Sequence, residues 1–180
     1  MIRDCLRADG EPEFGQALIT HGWETGGGDE RAMVGTVAQM LQVEALDENR
    51  YALIAVGTRR ITINAWLPDD PYPIADVDDW PDVDPDVVGL ALHVAASHAR
   101  VRAVLALAAQ LPDGGPAGHM DNADEVSDDA LVATYQLATL APIGPADRLR
   151  LLRADGPMHR LELLDEILDD VEAMMKFRLS

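Results

Sequence analysis

Side chains able to act as nucleophile, base or metal ligand are few in this 180-residue chain, and none falls into a pattern that such chemistry requires. Only Ser97, Ser127 and Ser180 offer a serine hydroxyl. A nucleophilic serine needs a general base and an oxyanion cradle, and none of the three sits in a Gly-x-Ser-x-Gly elbow. Ser97 precedes His98, but neighbouring helical residues point about 100° apart and do not pair. A Ser–Lys dyad would have to recruit Lys176, the one lysine, which reads instead as a surface cation near a helix C-terminus.

Phosphate and metal sites fail on spacing. Gly22 and Gly27 have the first interval of a P-loop, yet Gly28-Asp29 stands where Lys-Ser/Thr is required. The run Asp76, Asp78, Asp79, Asp82, Asp84, Asp86 resembles a calcium loop from Asp82 onward. Val87 then replaces the needed glycine, His93 replaces the closing glutamate, and Pro81 and Pro85 interrupt the run. It reads as a solvated linker. His21, His93, His98, His119 and His159 include no His-x-x-x-His pair. His98 is expected as a packed core residue, and Cys5 as a small buried side chain. These residues predict no catalytic group, no metal and no cofactor.

Charge narrows the partners. A formal net charge of −18 repels phosphate backbones, and Arg59-Arg60 is the one tight basic pair, so nucleic acid is not expected as a partner. No apolar run is expected to be long enough to cross a bilayer. Met1-Ile2-Arg3-Asp4-Cys5 lacks a basic-then-apolar signal pattern. A lone cysteine agrees with a reducing compartment. A cytoplasmic protein without membrane partners is the expectation.

The elements that would position any site change character along the chain. Residues 14–22, 33–46, 51–67 and 73–78 predict strands, broken by Gly, Pro and Asp, after a helix end at residues 1–8. Within 51–67, Ile61, Ile63, Ala65 and Leu67 share one face while Thr62, Asn64 and Trp66 share the other. Gly26, Gly27, Gly28, Gly35 and Gly57 are read as structural turn or bulge residues. Asp84 is an expected N-cap, with Pro85 opening a helix to about Leu111 along Val87, Ala91, Val94, Val101, Leu105 and Ala108. Residues 112–126 read as a loop, Ser127 as the cap of a second helix to about Leu140, and Gly144-Pro145 and Gly156-Pro157 as two further helix starts. The last helix carries the stripe Leu161, Leu164, Ile167, Leu168, Val171 and Met174. This is an α+β chain, β-rich over residues 1–84 and helical over 85–180. Trp23, Trp66 and Trp80 are the large aromatics, and exposed tryptophans mark protein-binding surfaces. Trp23, Trp66 and Tyr72 are the candidate binding residues.

The order Phe14-Gly15, Val34-Gly35-Thr36-Val37-Ala38, Arg50-Tyr51, Gly57-Thr58-Arg59-Arg60 and Pro71-Tyr72-Pro73-Ile74-Ala75-Asp76-Val77 resembles the N-terminal, substrate-binding domain of Lon proteases. Residues 127–178 resemble its helical half, including the stretch from Asp147-Arg148-Leu149 to Leu164. The resemblance implies a PUA-like β pseudo-barrel followed by an α-helical bundle. It implies a stand-alone, non-catalytic module without ATPase or peptidase domains, binding unfolded or tagged client proteins in protein quality control, with an ATP-dependent protease as a candidate partner. The family opens with two more strands ahead of the helix that Met1–Leu6 ends, so the expectation is either a start placed too far downstream or a barrel that lacks those strands and exposes an edge. The alternatives are a stand-alone hydrolase acting through Ser97, a PUA-like RNA binder, and a small-molecule binder; the oligomeric state stays open.

Overall fold

Apolar alternation between residues 13 and 79 forms a four-stranded antiparallel sheet with strands in chain order. The structure, a computed structural model, describes residues 1–7, 9–23, 28–46, 50–111 and 126–179. Gly26 and Gly27, His119, Ser180 and nearly all of the 112–126 loop lie outside the described residues. A one-turn helix α1 (Ile2–Cys5) precedes β1 (Glu13–His21), β2 (Glu30–Ala45), β3 (Tyr51–Leu67) and β4 (Ile74–Asp79). Each strand pairs with its sequence neighbour, so β1 and β4 are the outer strands among the described residues.

The central strands supply the sheet unit's core: Ala32, Val34, Val37, Ala38 and Met40 from β2, Ile61 and Ile63 from β3. Gly35 and Gly57 lie inside these strands, not in turns. The reason at Gly35 is a close approach of backbones: a Cβ there would stand 2.5 Å from the Gln16 carbonyl oxygen of β1. Gly57 falls beside the register shift between Val37 and Ala38, where Thr58 is the extra residue. Gly28 does have the positive φ (77°) of a turn glycine. Cys5 is half-buried, not fully buried.

The chain divides into two compact units, Met1–Pro81 and Asp82–Ser180. The second contains α2 (Leu90–Ala108), α3 (Ala130–Leu140), α4 (Pro145–Leu152) and α5 (Pro157–Leu179). Asp84 does not cap a helix: its φ is 49°, and α2 begins five residues beyond Pro85 with Gly89 as N-cap. The preceding stretch is committed elsewhere, because the Val83 amide donates to the Asp155 carbonyl at 2.9 Å. In α3 the cap is Asp129, whose carboxylate accepts from the Leu131 and Val132 amides. Ser127 instead accepts from the Asp129 amide, one step before the expected role. Gly144 and Pro145 open α4 as their types predict.

The helical core joins Leu90, Val94, Val101, Val104 and Leu105 of α2 with Leu137, Leu151, Leu161, Leu164, Leu168 and Met175. Ser97 occupies the buried stripe of α2 and His98 is only half-buried, because the stripe steps by fours and threes through Val94, Ser97 and Val101. Ala91 is exposed for the same reason, and in α5 Met175, not Met174, is buried. By length and composition α2 would pass for a membrane-crossing helix, contrary to expectation. Its buried face, packed in this core, accounts for much of that apolar content.

Candidate functional site

The meander carries Trp23, Trp66 and Tyr72 to one end of the sheet. The C-terminal ends of β1 and β3 and the N-terminal ends of β2 and β4 meet there. Trp23 follows β1 and is 83% exposed. Trp66 is half-buried, although alternation set it opposite the core face. Between Ile63↔Val77 and Ala65↔Asp76 the third strand carries one extra residue, which resets the alternation. Ala65 and Leu67 are therefore exposed in place of Trp66.

Arg31, at the start of β2, ties this end together. Its guanidinium lies 4.9 Å from the centroid of the Trp66 ring, a cation–π contact worth about 1–2 kcal/mol where water is partly excluded. It donates through Nε to Asp29 Oδ2 at 2.5 Å, and through Nη1 and Nη2 to both Asp69 oxygens at 3.1 and 3.2 Å. The hydrogen bonds that Arg31 donates to Asp69 and then to Asp29 raise the Arg31 pKa, and Arg31 in turn holds the Asp29 carboxyl below the usual range. Asp29 also underlies the turn that carries Trp23, since a Cβ at Gly22 would approach its Cα to 3.0 Å. Sequence reasoning passed over Arg31; its signal was the Asp29-x-Arg31 spacing at the mouth of a strand.

Tyr72 is held by α1. Its hydroxyl donates to Asp4 Oδ2 at 3.2 Å, and the N-terminal ammonium sits 3.0 Å from the same oxygen. The ammonium and then Tyr72 depress the Asp4 carboxyl, while burial and then the hydrogen bond to Asp4 raise the Tyr72 phenol. The Asp70–Pro71 bond within this turn is cis. Trp23 is thus freely presented, Trp66 is half-sunk under Arg31, and Tyr72 is anchored. The Trp66 indole nitrogen is buried without a hydrogen-bond partner among the described residues. Trp80, the third tryptophan, stacks under Arg60 at 4.1 Å, and Arg60 donates to the Trp80 and Pro81 carbonyls.

The opposite end of the sheet carries exposed apolar side chains, on both of its faces, that the sequence reading did not single out. Leu41, Leu46, Leu53, Ile54 and Val56 of the β2–β3 hairpin are all exposed. Leu41 is the extra residue of the register shift between Met40 and Gln42, and Ile54 and Val56 alternate along β3. Nearby, Arg59 grips both Glu13 oxygens at 2.7 Å and Asp79 at 2.8 Å, and the Glu13 carboxyl is lowered by that guanidinium.

Ser97 is buried and donates to Asp165 Oδ2 at 3.4 Å. Lys176 pairs with Glu172 at 2.6 Å on the surface of α5. Among the described residues no three His, Cys, Asp or Glu side chains are placed to hold a metal ion.

A family profile, the ATP-dependent protease La (LON) substrate-binding domain, matches residues 1–170. The chain belongs to the Lon substrate-binding domain family. Among solved structures it is similar to a Lon N-terminal domain protein from Xanthomonas campestris, at 25% identity and a TM-score of 0.59, covering 91% of this chain and 79% of that one. It also shares its fold with the N-terminal domain of a Mycobacterium avium complex Lon protease, at 17% identity and a TM-score of 0.53, covering 89% and 91%. No curated protein matches. The sheet followed by helices is thus the α+β fold of Lon N-terminal domains. In this member of the Lon substrate-binding domain family, the Arg31-centred end and the β2–β3 hairpin both present exposed large apolar side chains among the described residues.

Proposed function

We propose that the chain is a non-catalytic module that binds exposed apolar segments of unfolded or tagged proteins, in the service of protein quality control. Membership of a substrate-binding family supports the class of ligand. The observation that carries the reading is Trp23, 83% exposed at the end of the sheet that also holds the Arg31–Trp66 stack. A tryptophan held out in water at the same end as a pre-organised charged platform suits a binding hot spot, because little ordering remains to be done on contact. The carboxylates around Arg31 favour clients that bring cations beside their apolar residues.

Catalysis is not part of this proposal, since Ser97 is buried against a carboxylate and has neither histidine nor lysine as partner among its described contacts. A net charge of −18 argues for protein clients over nucleic acid. An ATP-dependent protease in the cytoplasm is the natural recipient of such clients. The test is binding of a permanently unfolded, carboxymethylated protein, followed by tryptophan fluorescence and photo-crosslinking from position 23. Saturable binding with crosslinks near Trp23 supports the proposal. Retention no better than that of the same protein in its folded form rejects it.

A further inference from the structure

Trp23 has 83% of its surface in water, so its own packing does not fix where it stands. The backbone on either side must do so. Gly22, immediately before it, has a φ of 92°, and a Cβ there would lie 3.0 Å from the Asp29 Cα. Gly22 and Asp29 therefore meet at the neck of the connection from β1 to β2. The strand ladder below that neck is irregular, with register shifts between Ala17 and Ile19 and again between Ile19 and His21, which loosens local pairing. The Thr20 hydroxyl adds one tie, donating to the Glu30 carbonyl at 3.1 Å. The stronger tie is made by side chains. The Asp29 carboxylate is 8% exposed and accepts two prongs of Arg31, Nε at 2.5 Å and Nη2 at 3.3 Å. Arg31 is itself fixed twice over, by the Asp69 carboxylate just past β3 and by the Trp66 ring.

We propose that Arg31 is the positioning residue for Trp23: its fork on Asp29 closes the neck and orders the aromatic before any contact is made. Arg31 acts through Asp29 and does not itself meet the client, since its side chain is 16% exposed and most of its donors are already engaged. A closed neck leaves fewer backbone torsions to be ordered on binding, and the ordering that remains is subtracted from affinity. The effect on affinity, though not the geometry, rests on the client-binding reading. Lysine is no substitute at this position. Its ammonium keeps the charge but has no planar fork with which to hold two carboxylates at once.

Fluorine NMR of the full chain labelled with fluorinated tryptophan reads the neck with no client present. The chain has three tryptophans, and Trp23→Ala assigns the resonance of interest. Arg31→Lys, which keeps the formal net charge at −18, and Asp29→Asn should each sharpen the Trp23 resonance toward that of the unfolded chain. The Trp80 resonance, a marker of the intact sheet unit, should stay in place. Affinity for the carboxymethylated unfolded protein should fall about five- to tenfold in either variant and little further when the two are combined. Arg31→Lys added to Trp23→Ala should cost no further affinity. An unchanged Trp23 resonance in both variants overturns the proposal, as does an Arg31→Lys loss of affinity that persists in full without Trp23. Loss of the Trp80 resonance in both variants also overturns it, because Arg31 would then serve the fold and not Trp23. If the Trp23 resonance sharpens as expected while the native chain binds no unfolded protein, the positioning role stands and the client-binding reading falls.

Discussion

Arg160 and Asp82 form an ion pair of 2.6 Å inside the helical unit, the guanidinium wholly buried and the carboxylate 5% exposed. Every remaining group of the cluster is answered. Tyr135 donates to the other Asp82 oxygen at 2.6 Å, Arg160 donates to Thr134 Oγ1 and to the Leu151 carbonyl, and the Tyr135 ring lies 3.7 Å from the guanidinium carbon. A buried pair gains its stability from such full satisfaction and not from Coulomb attraction alone.

Removing one partner should therefore cost more than removing the pair. Asp82→Ala leaves a buried cation and is expected to destabilise the helical unit by about 3–5 kcal/mol. Asp82→Ala with Arg160→Met should recover a large part of that loss. Urea unfolding followed by helical circular dichroism reads both, and equal losses in the single and double variants would reject the argument.

Two glycines stand where no side chain fits. Gly35→Ala would drive a Cβ to 2.5 Å from the Gln16 carbonyl, and Gly156→Ala to 2.3 Å from the Val83 carbonyl. Each neighbour is backbone and cannot swing aside. Losses of about 1–3 kcal/mol or more are expected, as for overpacked cores. The first should weaken the sheet unit and the second the helical unit, which proteolysis mapping separates.

Acid should weaken the sheet unit through three carboxylates. The N-terminus and Tyr72 lower Asp4, and Arg59 and Arg31 lower Glu13 and Asp29. The unfolded chain therefore takes up these protons first as pH falls. The stabilisation is complete above the unfolded values near pH 4 and is lost as pH drops through the lower folded ones. At the alkaline end the sign reverses for Tyr72, whose raised phenol keeps its proton longer when folded. Its contribution is present below about pH 10 and is lost above. Arg31→Met should flatten the acid limb measured by urea titration at successive pH values.

The tryptophans should separate binding from folding. Trp23→Ala is expected to weaken an unfolded client about tenfold, some 1.4 kcal/mol, with the unfolding midpoint unchanged because that side chain is almost wholly in water. Trp66→Ala removes the platform under Arg31 and should lower both affinity and midpoint. Parallel titration and thermal unfolding of the two variants distinguish the roles.

Strands and helix starts were legible where local chemistry governs them. The span of β3 and the Gly-Pro starts of α4 and α5 follow from alternation and from the fit of proline to a first helical turn. What misled was tertiary. Asp84 has the type of a cap, yet the Val83–Asp155 hydrogen bond commits the chain beside it and α2 starts later. Trp66 changed face because of one inserted residue in a ladder whose partner is β4. The Arg31 hub joins residues far apart in the chain, and only the register of the strands brings Asp69 to it. Candidate aromatics could be named from the sequence, but their grades of exposure could not.

Because the sheet pairs strands only in chain order, its construction never waits for a distant segment. Short-range pairing of this kind closes quickly. The sheet unit can thus be complete as soon as Pro81 has left the ribosome. The helical unit obeys a different clock: Asp82 finds its cation 78 positions later, in α5. Synthesis delivers about 5–20 residues each second, so that carboxylate spends seconds in water before Arg160 arrives. Force-profile measurements on stalled nascent chains should register an early event for the sheet and a late one for the helices.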